Sequence, residues 1–113
     1  MTSNNSILGY WKIIWMKMWD QEYVNLVVTG YIKIHNDGNG DFQFGVVTGS
    51  FNADSQRRYF CSKWEGESEM DEALGEIYGT IDDKKGELCG AISFWDGDES
   101  DYRAIKILEN KAV

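Results

Sequence analysis

The chain has 113 residues, 42% hydrophobic and 14% aromatic; that suits one domain around one core and argues against a disordered chain. Nineteen carboxylates against eleven Lys and Arg give a net charge of −8, which opposes binding to phosphate backbones or anionic membrane surfaces. With no run of about eighteen apolar residues to span a bilayer, neither nucleic acid nor a membrane is an expected partner.

Residues 1–6 are polar and read as flexible, as do residues 111–113, within a single domain over 1–113. The opening MTSNNSILGYW has neither the charged nor the apolar region of a secretory leader. Cys61 and Cys89 read as free thiols, so a cytoplasmic location is the expectation. Tyr10 to Met16 reads as the first strand, with Trp11, Ile13 and Trp15 on one face and Tyr10, Lys12, Ile14 and Met16 on the other. Trp19 to Tyr23 is too short for an independent helix and reads as a turn or one 3₁₀ segment capping a barrel end.

From Val28 to His35 the alternation is strict, with Gly30, Ile32 and Ile34 opposing Tyr31, Lys33 and His35. Asn36 to Asp41 is the strongest turn signal, because glycine tolerates positive φ and Asx side chains bond their own backbone. Phe42, Phe44 and Val46 then alternate with Gln43, Gly45 and Val47 in an extended run to Phe51. Gly49 is the expected bulge or corner dividing it.

Arg57 to Glu65 supplies a strand carrying Phe60, Ser62 and Trp64, followed by an acidic connection ending near Asp71. Ala73, Gly75, Ile77, Gly79 and Ile81 form a small-residue face opposite Leu74, Glu76, Tyr78 and Thr80. Beyond the Asp82–Gly86 turn, Leu88, Gly90, Ile92 and Phe94 share one side. Asp96 to Ser100 is a loop, and Arg103, Ile105 and Ile107 share a face of the last strand, Tyr102 to Leu108. The two acidic groups, Glu65–Glu76 and Asp96–Asp101, read as two solvated connections, the alternative being cation capture or a basic partner.

These are seven strands, or eight once the Gly49 run is divided. An even number lets first and last strands meet antiparallel and removes exposed edges. The expected fold is therefore all-β: an antiparallel up-and-down meander barrel of eight short strands. The alternative is an open seven-stranded sheet whose edge a partner subunit covers.

Gly9-x-Trp11 on a first strand, with Arg103 on the last, resembles the end-closing arrangement of the calycin superfamily of lipocalins, fatty-acid-binding proteins and avidins. The resemblance implies that Trp11 shuts one barrel end beneath Arg103, whose guanidinium stacks on the ring and bonds nearby carbonyls. It also implies a small apolar ligand at the mouth, with Trp15, Trp19, Tyr23, Tyr78, Trp95 and Tyr102 as the candidate residues. An eight-stranded barrel can hold one small molecule or fill with side chains. Trp11, Trp15, Phe42, Phe44, Phe60, Trp64, Ile92 and Phe94 are enough to fill it or nearly so.

Other chemistry is sparse. Asp37-x-Asn39-x-Asp41 begins like a calcium loop, but Phe42 and Thr48 stand where that loop needs Gly and Glu, so it reads as a hairpin turn. Asp96-x-Asp98-x-Ser100 reads as solvated loop. His35, the lone histidine, falls on a polar strand face, and two cysteines cannot complete a structural zinc site. No catalytic residue, metal or cofactor is assigned, and enzymatic activity is not the expectation. The competing reading is an interaction or structural module acting as a homodimer, because Ile14 and Met16 oppose Trp11 and Ile13, and Val47 opposes Val46.

Overall fold

In a computed structural model, residues 7–53 and 58–107 are described; the expectations for 1–6 and 111–113 fall outside them. The described residues form β1 (Gly9–Met16), α1 (Gln21–Val24), β2 (Tyr31–Ile34), β3 (Asn39–Phe44), β4 (Val47–Asn52), β5 (Tyr59–Ser68), β6 (Asp71–Asp82), β7 (Glu87–Phe94) and β8 (Glu99–Ile107). Each strand pairs antiparallel with the next, and β1 pairs with β8 from Tyr10↔Ile107 to Met16↔Tyr102. The barrel is closed with eight strands, as the edge argument requires.

The inward positions follow the alternation read in β2, β3, β6 and β7: Ile32, Ile34, Phe42, Phe44, Ile77, Leu88 and Ile92 are all buried. The first strand departs from it. Its register against β8 shifts between Ile13 and Trp15, and the extra residue of a bulge inverts the alternation beyond it. Met16 therefore points inward and is 3% exposed, while Trp15 is 40% exposed.

The Phe42–Phe51 run divides, but at Gly45-Val46 rather than at Gly49. Phe44 pairs with Val47 across a two-residue loop, whose first residue, Gly45, has φ +56, the requirement of a primed hairpin turn. Gly49 lies inside β4, facing Gly66 of β5. The expected acidic connection is also mostly strand. Glu65 to Ser68 pairs with Asp71 to Leu74, leaving Glu69 and Met70 as the tip. Alternating carboxylates on a solvent face do not prevent pairing.

Aromatic rings fill the interior by lying over glycines. A Cβ on Gly40 would stand 2.4 Å from Phe51, one on Gly49 2.6 Å from Phe42, and one on Gly79 2.5 Å from the Tyr102 hydroxyl. Phe42, Phe44, Trp19, Phe94 and Trp64 close a circuit of ring contacts with centroids 5.1–6.2 Å apart. The meander gives the barrel two ends. One, the floor, carries the start of β1 and the β2–β3 and β6–β7 turns; the other, the mouth, carries α1 and the β3–β4, β5–β6 and β7–β8 turns.

A Cβ on Gly90 would stand 1.9 Å from the Tyr78 carbonyl oxygen across the β6–β7 ladder, so Gly90→Ala should destabilise by about 2–3 kcal/mol in urea unfolding. Conversely, Glu69 (φ 53) and Met70 (φ 74) are left-handed without being glycine, and Met70 is 92% exposed. Met70→Gly is expected to stabilise by about 1 kcal/mol.

Candidate functional site at the barrel mouth

The centre of the barrel is nearly full. Between Ile13, Phe42, Phe44, Ile77, Ile92 and Tyr102 there is an aromatic-lined void of only about 10 Å³, room for one water at most. The mouth is different: it opens as a cleft of about 460 Å³.

One wall of that cleft is Trp19 and Tyr23, carried by the segment between β1 and β2. Asp20 caps α1 by accepting from the Tyr23 N–H at 2.9 Å, and Gln21 donates its side-chain amide to the Ile13 carbonyl at 2.9 Å, fastening α1 to β1. The segment makes one α-helical turn, with Val24 donating to Asp20 and Asn25 to Gln21, where a turn or one 3₁₀ segment was expected. Tyr23 lies where a Cβ on Gly45 would be 2.2 Å from its ring, and its hydroxyl accepts from the Val46 N–H at 3.4 Å. Trp19 sits 5.1 Å from Phe44 and 6.1 Å from Tyr23, centroid to centroid.

The facing wall comes from Leu74, Phe94 and Trp95, with Trp95 69% exposed and its backbone N–H donated to the Leu74 carbonyl at 2.9 Å. Around the rim stand Glu69, Asp71 and Glu72 of the β5–β6 hairpin and Asp96 and Asp98 of the β7–β8 turn. Leu74 and Trp95 also border an open groove of about 670 Å³, shared with Ser50, Lys63 and Glu65.

Three of the six residues expected at a ligand site, Trp19, Tyr23 and Trp95, thus line one cleft. The other three do not join them. The β1 bulge turns Trp15 outward, and Tyr78 is on the outer wall, 49% exposed. Tyr102 is sealed inside, its hydroxyl donating to the Tyr78 carbonyl at 2.8 Å, and burial pushes its phenol well above the ordinary value. Sequence reasoning placed Phe94 in the core and left the rim carboxylates as two unrelated loops. A signal existed, since in a meander every second turn lies at the same end.

At the floor, Trp11 donates its indole N–H to the Ile7 carbonyl at 2.8 Å, and the cation over its ring is Lys106, 5.1 Å from the centroid. Arg103 does not take that place. On β8 the inward residues are Ser100, Tyr102 and Ala104, so Arg103 projects outward, its Nε and Nη2 each 2.9 Å from a Glu87 carboxylate oxygen. His35 stands on the outer wall, 3.8 Å from Asp41. Asp37 accepts from the Asn39 N–H at 2.9 Å within its turn, and both cysteines are free thiols.

No protein-family model matches the chain, and comparison with curated proteins and with solved structures gave no significant match.

The Arg103 hydrogen bonds hold the Glu87 carboxyl below its ordinary value of 4.5. The pair's contribution to stability is therefore complete above that ordinary value and is lost as pH falls through the lower folded-state value. Glu87→Gln is expected to lower the thermal midpoint at pH 7, with the gap to the parent protein closing below pH ~4. A gap independent of pH would show that the ion pair is not its source.

Proposed function

We propose that the chain is a calycin-like binding barrel that takes a small apolar or aromatic-bearing molecule at its mouth, between Trp19, Tyr23, Phe94 and Trp95. The observation that carries this reading is the contrast between a centre of about 10 Å³ and a ring-walled mouth of about 460 Å³, within the size range of small-molecule sites. Lys106 over Trp11 serves the floor-closing role that the family resemblance gave to Arg103. Titration with 2-phenylethanol, followed by NMR at the indole N–H groups, should shift Trp19 and Trp95 and leave Trp11 and Trp64 in place. Trp95→Ala should weaken binding about threefold to tenfold. Shifts confined to Trp11 and Trp64 would reject the mouth as the site.

A second reading, self-association, is favoured by Leu26, Val27 and Val28, successive residues that are 60%, 59% and 40% exposed. Met16, inside the barrel, has no part in it. Light scattering over a concentration series should then show a dimer that Val27→Glu dissociates. A monomer at high micromolar concentration would end this reading.

A further inference from the structure

The mouth cleft joins two kinds of wall. Trp19, Tyr23, Phe94 and Trp95 offer the faces and edges of four rings, and Glu69, Asp71, Glu72, Asp96 and Asp98 surround them with five carboxylates. Among the described residues no Lys or Arg lines the cleft, and none of the five carboxylates pairs with another described side chain. The floor shows the opposite arrangement, where the chain seats its own cation, Lys106, over Trp11.

An aromatic face attracts a cation through its quadrupole, and carboxylates around the same space favour that sign of charge and repel its opposite. A fatty acid or other organic anion would meet five like charges. A bare metal ion is also a poor match, since no three His, Cys, Asp or Glu among the described residues converge in a ligand set. A larger ion that spreads its charge next to an apolar body matches both the rings and the dispersed carboxylates.

From this we infer that the mouth selects organic ammonium ions, with the apolar portion against Trp19 and Trp95 and the charged head toward the β5–β6 and β7–β8 rims. The inference rests on the proposed mouth site and adds its ligand class. It also gives the two acidic segments a shared task that neither has alone.

Three probes with a common phenyl-alkyl body separate the terms: 2-phenylethylammonium, 2-phenylethanol and 3-phenylpropionate, each titrated at low salt with the Trp19 and Trp95 indole signals as readout. The ammonium ion should bind at least about tenfold tighter than the alcohol, and the carboxylate should bind least. About 0.5 M salt should remove most of the ammonium ion's advantage. The double variant Glu72→Gln, Asp98→Asn should weaken ammonium binding at least about threefold while leaving the alcohol unchanged. Equal binding of alcohol and ammonium, or equal weakening of both by the double variant, would overturn the cation inference and leave the mouth site standing. If none of the three moved Trp19 or Trp95, both the site and its ligand class would fall.

Discussion

The structure depends on fitting bulky rings inside a small closed sheet. Eight strands leave a narrow interior, and this chain resolves the crowding by setting Phe51, Phe42 and the Tyr102 hydroxyl over Gly40, Gly49 and Gly79. Each ring uses space that a Cβ would have taken, so the core reaches side-chain density with almost no void. Because the middle is full, any recognition by this barrel must occur at an end or on the wall.

The two ends are built differently on that shared core. At the floor, Ile7 is fully buried, Trp11 bonds its carbonyl, and burial lowers the Lys106 ammonium. All of these groups find their partners within the chain. At the mouth, the ring circuit passes through Trp19 and Phe94, so the cleft walls rest on the same stack that holds the core. Such a wall is held in place by the core itself, and a preformed wall lowers the ordering cost of whatever packs against it.

Alternation made most of the architecture legible. β2, β3, β6 and β7 keep their period of two without interruption, and the count of eight follows from closure. What the sequence concealed comes from single-residue events. Nothing in Ile13-Ile14-Trp15-Met16 marks a bulge, since all four residues are apolar, yet the bulge exchanges the faces of Trp15 and Met16. Gly45 and Gly49 look alike as breaks in a run of alternating residues; what distinguishes them is the packing of other elements, Tyr23 of α1 over Gly45 and Phe42 of β3 with Trp64 of β5 over Gly49. Arg103 was the more conspicuous cation on β8, but strand parity, decided by Tyr102 and Ala104, gives the place over Trp11 to Lys106. The mouth was legible in three of its aromatic residues, Trp19, Tyr23 and Trp95, and not in its rim, which joins turns that only the meander brings together.

Closure of β1 onto β8 has a kinetic side. The β5–β6 and β6–β7 hairpins join neighbours in sequence, whereas the seam joins opposite ends of the chain, the contact whose loop-closure entropy is largest. Trp19 lies three residues beyond the end of β1, and the Met18 N–H bonds the Ser100 hydroxyl of β8 at 3.0 Å. The segment leading to the aromatic wall is thus tied to the seam as well as to β1 and the β3–β4 turn. During synthesis on the ribosome, β1 must wait for β8 to emerge, so the local hairpins can form well before the barrel closes and its mouth takes shape.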